Sequence, residues 1–269
     1  MSSSSLRVPR LLLTGAAGAL GRELRPRLKA MCEVLRVSDV AELGAAAPGE
    51  EVRPAALQDR AAVHALLEGV QAVVHLGGVS VERPWDEILP ANIEGMFNLY
   101  EGARLHGTRR IVFASSNHVT GFYRQDETID PSMPPRPDGY YGLSKAFGEQ
   151  LSRFYFDRYG IETVCLRIGS AFPEPKDRRM LATWLSYDDL ERLVVACLTA
   201  PAVGHTVMYG MSDNRLTWWD NSRARHVGFR AQDSSEPFRP AVEARQPHID
   251  LTDPAALFQG GAFVKQGPF

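Results

Sequence analysis

The sequence contains little cysteine and lacks any long apolar run. Its three cysteines lie far apart along 269 residues, at Cys32, Cys165 and Cys197. An odd number of distant cysteines does not suit a disulfide framework, so we expect reduced thiols and a cytoplasmic protein. No window approaches the roughly 18 apolar residues of a membrane span, and the opening MSSSSLRVPR has no apolar core of a signal peptide. We therefore predict no membrane partner.

Runs of one charge and metal-ligand spacings are also missing. The 30 basic and 32 acidic residues are scattered, the net charge is −2, and there is no Lys/Arg-rich segment. This balance argues against nucleic acid or an anionic membrane as a partner. The seven histidines show no H-x₃-H spacing and the cysteines show no C-x₂-C spacing. We therefore predict no metal site.

Short apolar runs alternate with helical patterns over the first part of the chain. Strand patterns cover residues 10–14, 33–37, 51–53, 72–76, 110–115 and 163–168. Helical patterns cover residues 22–29, 59–67, 90–106 and 141–159. This alternation predicts βαβ units and an α/β fold of the Rossmann type. Such a doubly wound parallel sheet binds its ligands at the carboxyl ends of the strands.

The regular alternation stops after residue 168. A helical pattern over 187–198 and a short strand pattern over 205–209 are followed by segments rich in Pro, Gly and Trp. We expect a flexible N-terminal tail at 1–9, a dinucleotide-binding core at 10–168, and a short, irregular C-terminal substrate-binding part at 169–269. The last part is not expected to fold as a separate domain.

A glycine-rich turn, TGAAGALG, connects the first predicted strand to the first predicted helix. Its glycines allow close approach to a pyrophosphate, which the helix N-terminus favours, although a purely structural turn would look the same. Asp39 ends the second strand, where a carboxylate can bind the adenosine ribose and repel a 2′-phosphate. Two glycines after the fourth strand also permit close passage of a cofactor. These features predict NAD as the cofactor in preference to NADP. The predicted cofactor-binding residues are Gly15, Gly18, Ala19, Leu20, Gly21, Asp39, Leu76, Gly77 and Gly78.

Tyr141 and Lys145 lie four residues apart and therefore on one face of a predicted helix. Alone, this spacing is better explained by a surface pair. The preceding strand ends in the polar stretch SSNH at 115–118, so hydroxyl, phenol and ammonium groups can converge at one edge of the sheet. TGAAGALG, the serine pair and YxxxK together resemble the extended branch of the short-chain dehydrogenase/reductase superfamily.

The resemblance implies roles for three residues. Tyr141 is the expected general acid/base, Lys145 lowers its pKa and binds the nicotinamide ribose, and Ser116 orients the substrate oxygen. A free phenol has a pKa of ~10, and a nearby cation lowers this pKa so that the phenolate can act as a base at neutral pH. Tyr140 is out of register with Lys145 and is interpreted as a packing residue, whereas Ser115 has no assigned role.

Longer segments across nearly the whole chain resemble the bacterial uronate dehydrogenases. They include LGGVSVERPWDEIL, RIVFASSNHVTGFY, RIGSAFPEPKDRRML, TWWDNS and FQGGAFV. This resemblance implies NAD-dependent oxidation of glucuronate or galacturonate at the anomeric carbon to an aldarolactone. The implied substrate-binding residues are Ser80, Ser116, Asn117, His118, Ser170 and Arg179.

Arg179 is the implied partner of the uronate carboxylate. Arg178 is a competitor, and a solvated basic loop is the alternative interpretation of both arginines. The resemblance also places Leu57 beside the adenine, but Ala56 replaces the aspartate of relatives, which predicts weaker adenine recognition. The basic stretch RARH at 223–226 is a second departure from the family pattern.

Two other functions stay open at the level of sequence. An epimerase or dehydratase of the same branch would use NAD and Tyr141 without net redox, although the short C-terminal part leaves little room for a nucleotide sugar. A non-catalytic dinucleotide sensor would commonly lack the tyrosine or the lysine. Because members of the superfamily usually associate through helices that flank the sheet, we expect a homo-oligomer.

Overall fold

A seven-stranded parallel sheet forms the centre of the protein, in a computed structural model that describes residues 7–267. The strand order is β3-β2-β1-β4-β5-β6-β9, and all six pairings are parallel. The predicted doubly wound sheet is therefore confirmed. Its strands are β1 (Val8–Thr14), β2 (Cys32–Ser38), β3 (Glu50–Val52), β4 (Ala72–His75), β5 (Arg110–Ser116), β6 (Glu162–Ile168) and β9 (His205–Gly210).

Helices cover both faces of the sheet because apolar strand side chains point alternately to either side. α1 (Ala19–Leu28) and α7 (Tyr187–Thr199) pack together over one apolar cluster. α2 (Arg60–Leu67), α4 (Gly95–His106) and α5 (Tyr140–Tyr159) cover the other. None of the helices within residues 7–267 combines the length and apolarity needed to cross a membrane.

Several element boundaries differ from the sequence prediction. β1 begins at Val8, so residues 8 and 9 of the predicted tail belong to the sheet, while residues 1–6 lie outside the described residues. α1 begins at Ala19, three residues before the predicted start. α5 runs from Tyr140 and ends, as predicted, before Gly160, which adopts the left-handed conformation (φ 71°) that favours glycine.

The predicted helix at 90–106 is divided in the structure. The short helix α3 (Trp85–Ile88) leads into a wide π turn at Leu89–Glu94 before α4 begins. Asn92 within this turn is buried, donates to the Val79 carbonyl (3.0 Å) and accepts from the Val79 amide (2.8 Å). The turn therefore anchors the loop that follows β4, a use often found for π turns beside functional sites.

The main sheet extends beyond the predicted core boundary at residue 168, because β9 is its last strand and α7 packs on α1; the other elements after residue 168 are short. Gln259 is fully buried, and its side chain donates to the carbonyls of Arg124 and Glu127 and accepts from the Trp219 indole. These contacts fix the chain end against the segments that follow β5 and β9. The short elements are β7 (Ser170–Ala171), α6 (Met180–Thr183), β8 (Trp184–Leu185), α8 (Arg239–Arg245) and α9 (Pro254–Leu257).

Candidate active site

A cleft of about 800 Å³ lies at the carboxyl ends of the strands, where the strand order reverses between β1 and β4. This is the position at which doubly wound sheets bind ligands. Every residue that the sequence predicts for cofactor, substrate or catalysis lines this cleft. The structure therefore brings together side chains that span positions 15 to 179 of the chain.

The glycine-rich turn forms one wall of the cleft. Gly15 has a φ of 69°, and a methyl group on it would lie 2.6 Å from the carbonyl carbon of Leu76, so only glycine fits. The backbone then enters α1 at Ala19, whose N-terminus opens at the cleft. Asp39 stands beside the turn, with Oδ2 accepting from the Ala17 amide at 2.9 Å. The N-terminus of α1 suits a pyrophosphate, and the Asp39 carboxylate suits a ribose.

The opposite wall of this half consists of Leu57 and the segment at 76–78 that follows β4. Ala56 does not line the cleft; its carbonyl accepts from the Asp59 amide (3.0 Å) at the start of α2. Gln58 does line it, so a neutral polar side chain is present two positions after the missing aspartate. No sequence pattern distinguishes Gln58 from an ordinary loop residue.

Tyr141 and Lys145 lie buried on the inner face of α5, below the other half of the cleft. Lys145 Nζ donates to the Ala114 carbonyl at 2.8 Å and lies 5.6 Å from the centre of the Tyr141 ring. The Ser116 hydroxyl accepts from the His118 amide at 3.3 Å, and both Ser116 and Tyr141 line the cleft. Hydroxyl, phenol and ammonium groups thus converge at one place, as the spacing of the sequence motifs predicts.

The pKa values at this place are dominated by burial. Burial raises the pKa of Tyr141 to about 12, against the opposing effect of the Ser116 hydroxyl. Burial also lowers the pKa of Lys145 to about 8. Desolvation of the phenolate therefore sets the direction of the Tyr141 pKa, and the lowering of this pKa by Lys145 stays a prediction.

The two adjacent arginines point in different directions. Arg178 extends outward, where its Nε donates to the Gln246 carbonyl at 2.5 Å and its Nη1 lies 3.6 Å from Glu243. Arg179 turns into the cleft, and its Nε donates to the Gln259 carbonyl at 2.6 Å. The structure therefore favours Arg179 over Arg178 as the residue that faces a ligand.

The polar residues that end β5 separate into two groups. Ser115 lines the cleft, but its hydroxyl donates to Glu149 at 2.6 Å, and Glu149 forms a buried ion pair with Arg167. Asn117 faces Arg179: with its amide oriented to satisfy both neighbours, it accepts from Arg179 Nη2 at 2.7 Å. Sequence patterns assign Ser115 no role, and the structure places it in a buried network that joins β5 and β6 to α5.

The remaining predicted substrate-binding residues surround the same half of the cleft. Ser170 is buried and shares a hydrogen bond of 2.9 Å with Thr183, and it accepts from Arg179 Nη1 at 3.4 Å. His118 and Ser80 both line the cleft; His118 is buried and Ser80 is exposed.

Comparison with known proteins defines the family. The family model of the NAD dependent epimerase/dehydratases matches residues 11–198. A uronate dehydrogenase of Pseudomonas putida is 60% identical over 261 residues, which is 97% of each chain. This chain is a member of the uronate dehydrogenase family. The solved uronate dehydrogenase of Agrobacterium tumefaciens is 50% identical and superposes with a TM-score of 0.94 over 97% of this chain and 98% of that one. A mutant of that enzyme complexed with NAD is 49% identical and has a TM-score of 0.95 over 97% and 99% of the two chains.

Three further residues of this uronate dehydrogenase family member belong to the surroundings of the site. Glu82 accepts from the amides at the start of α5, Asp138 binds His118, and Phe263 stacks on the same histidine. Asp138 directly precedes Gly139, the N-cap of α5, and an aspartate at the start of a helix is a signal that the sequence alone could have supplied. Glu82 and Phe263 have no local signal, because their partners are 59 and 145 positions away.

Proposed function

We propose that this protein is an NAD-dependent uronate dehydrogenase that oxidises glucuronate or galacturonate at the anomeric carbon to the aldarolactone. The observation that carries the proposal is the environment of Arg179. Its guanidinium faces the same cleft as Tyr141, and within residues 7–267 no carboxylate lies within ion-pair distance of it. Arg179 is half-buried, and a partly desolvated cation without an anionic partner is costly, so this position favours an anionic substrate group.

The hydrogen bonds of Arg179 support this assignment. Its three contacts, to the Gln259 carbonyl, Ser170 Oγ and Asn117 Oδ1, are all with neutral oxygens. A guanidinium carries five N–H donors, so two stay available for a carboxylate. Burial lowers the pKa of Arg179 and outweighs the opposing charges of Asp177 and Asp138, neither of which forms an ion pair with it.

Tyr141 is the proposed general base, and Ser116 holds the same anomeric oxygen from which the proton leaves. Bound NAD would supply the hydride acceptor for the anomeric carbon, and its positively charged nicotinamide would favour the phenolate form of Tyr141. Lys145 adds a second positive charge beside the phenol. The sugar ring stays closed throughout, so the product is a lactone.

The hydroxyls of the substrate are proposed to be bound by Ser80, Asn117, His118 and Ser170, which are neutral groups around the same half of the cleft. Asp39 supports NAD over NADP, because its carboxylate beside the glycine-rich turn would repel a 2′-phosphate.

We also propose a cytoplasmic homo-oligomer. The three cysteines are free and buried, which supports a reducing compartment. The oligomer is proposed from the habit of the superfamily, and sedimentation at several protein concentrations tests it.

The deciding experiment is a panel of sugars with NAD or NADP, followed by absorbance in the near ultraviolet. We expect NADH formation with glucuronate and galacturonate, no comparable rate with glucose, and slower turnover with NADP. No absorbance increase with either uronate would refute the proposal. An epimerase would instead change the substrate stereochemistry without net NADH, which proton NMR of the sugar products distinguishes.

A further inference from the structure

We infer that Asp138 is a specificity-determining positioning residue that holds His118 with its proton on Nδ1, leaving Nε2 as a hydrogen-bond acceptor for a sugar hydroxyl. The inference deepens the proposed function and rests on it for the identity of the ligand. The protonation state of the His118 ring is inferred from the geometry of the Asp138–His118 pair.

Asp138 and His118 are joined twice. The Asp138 Oδ2 atom lies 2.7 Å from His118 Nδ1, and the Asp138 amide donates to the His118 carbonyl at 3.3 Å. The Asp138 side chain is completely buried. Gly121 and Gly260 pack against its carboxylate so closely that a methyl group on either would overlap it. The carboxylate is therefore held in one position relative to the imidazole.

The polar contacts of the carboxylate point to the imidazole alone. Its second oxygen, Oδ1, is buried and has no hydrogen-bond partner among the residues of the described chain. A carboxylate only accepts hydrogen bonds, so a short contact with the ring requires the proton to be on Nδ1. A buried carboxylate directed at a single histidine nitrogen is the arrangement by which proteins set the tautomer and orientation of a ring.

The His118 ring is neutral in this environment. Burial lowers its pKa, and the charge of Arg179 acts in the same direction, whereas the hydrogen bond and charge of Asp138 oppose them. Phe263 stacks on one face of the ring at a centroid distance of 3.8 Å, and Tyr141 approaches at 5.8 Å. These aromatic neighbours hold the plane of the ring.

A neutral ring with its proton on Nδ1 has a lone pair on Nε2. No residue in the described part of the chain hydrogen-bonds to that nitrogen, and the side chain of His118 lines the cleft. The nearby Arg179 can only donate, so His118 supplies a dedicated acceptor next to a dedicated donor. A substrate hydroxyl can satisfy this acceptor, whereas a deoxy or O-methyl analogue leaves it without a proton donor. The pair therefore selects sugars that carry a free hydroxyl at this place.

The first test observes the ring directly, in the unmodified protein without substrate or cofactor. Nitrogen-15 NMR of histidine-labelled protein at neutral pH distinguishes a protonated nitrogen from a bare one, and the His118 signals are those missing from His118→Phe. We expect a protonated Nδ1 and a bare Nε2. A proton on Nε2, or protons on both nitrogens, would overturn the inference. This readout requires no turnover, so it decides the tautomer even if no uronate is oxidised.

The second test is a double-mutant cycle with Asp138→Asn, His118→Phe and the double variant. Loss of a charge-assisted hydrogen bond is worth roughly 10- to 100-fold, and we expect such a fall in kcat/KM for the uronate with the KM for NAD unchanged. Because Asp138 acts through His118, its substitution should have little further effect in the His118→Phe background. An equal fall in both backgrounds would identify Asp138 as a purely structural residue and overturn the inference.

Asp126→Asn is the matched control for the kinetic test, because Asp126 is an exposed aspartate paired only with Arg124. It should leave kcat/KM unchanged. A wild-type protein without uronate turnover would contradict the proposed function instead, and the NMR result would stand independently of it.

Discussion

Glu82 caps the helix that carries Tyr141, although 59 positions separate the two residues. Its Oε2 accepts from the Tyr141 amide and its Oε1 from the Tyr140 amide, each at 2.8 Å. The carboxylate thus satisfies two of the amides that a helix N-terminus leaves without partners, at the end where negative charge is favoured. Because Ser80 and Val81 line the cleft, the same side chain ties the substrate loop to the helix of the proposed base.

Replacing Glu82 should destabilise the fold. Glu82→Ala leaves two buried amides without an acceptor, and we expect a loss of about 2 kcal/mol in the free energy of unfolding. Glu82→Gln, which keeps one acceptor, should lose less. Urea denaturation measures both, and Glu87→Ala is the control because Glu87 is exposed on α3. Equal midpoints for Glu82→Ala and Glu87→Ala would contradict the capping role.

Removing the Tyr141 hydroxyl should separate cofactor binding from chemistry. Tyr141→Phe keeps the ring in α5 but takes away the proton acceptor, so we expect unchanged NAD affinity by calorimetry and a fall in kcat of roughly 10²- to 10⁴-fold. Tyr140→Phe, one position out of register and packed against Trp85, is the control and should keep its turnover. Substantial activity in Tyr141→Phe would show that the base is elsewhere.

The neighbouring arginines offer a matched pair for testing carboxylate recognition. Arg179→Ala should lower kcat/KM for uronates by roughly 100-fold, because a charge-assisted contact to the substrate is lost. Arg178→Ala removes the same charge from the outward-facing position and should have little effect. The measurement is kcat/KM on uronates and on the residual oxidation of neutral aldoses. Losses of equal size on both substrate classes would mean that Arg179 does not bind the carboxylate.

Lys145 is proposed to support the chemistry at Tyr141, but its buried charge should lower the stability of the fold. Burial lowers its pKa from 10.5 to about 8, so between these pH values the unfolded chain binds more protons and the stability of the wild-type protein rises with pH. Lys145→Met removes this penalty, and we expect a gain of about 1–2 kcal/mol below pH 8, after allowing for the lost hydrogen bond to Ala114.

This gain should shrink as the pH rises from 8 to 10.5, where wild-type Lys145 loses its charge in the folded state. Thermal unfolding of both proteins across that range measures the difference, with exposed Lys176→Met as the control. A difference that is independent of pH, or that grows with pH, would contradict a buried ammonium at this position.

Much of this protein is determined by its sequence alone, because the relevant interactions are local. The alternation of apolar strands and helices predicts the parallel sheet, because the spacing of apolar residues within each segment indicates whether it is a strand or a helix. Gly15 and the turn after it are local to one strand and one helix, and the spacing of Tyr141 and Lys145 places both on one helix face. The π turn before α4 is missed because its cause is a contact of Asn92 with a different segment.

Tertiary structure alone decides the features that depend on segments distant in sequence. The choice of Arg179 over Arg178 depends on the Gln259 carbonyl, 80 positions away, and the state of His118 depends on Asp138 and Phe263 meeting around one ring. The direction of the Tyr141 pKa is decided in the same way, because it is raised by burial among distant residues such as His118 and Phe263, which the spacing of residues does not encode.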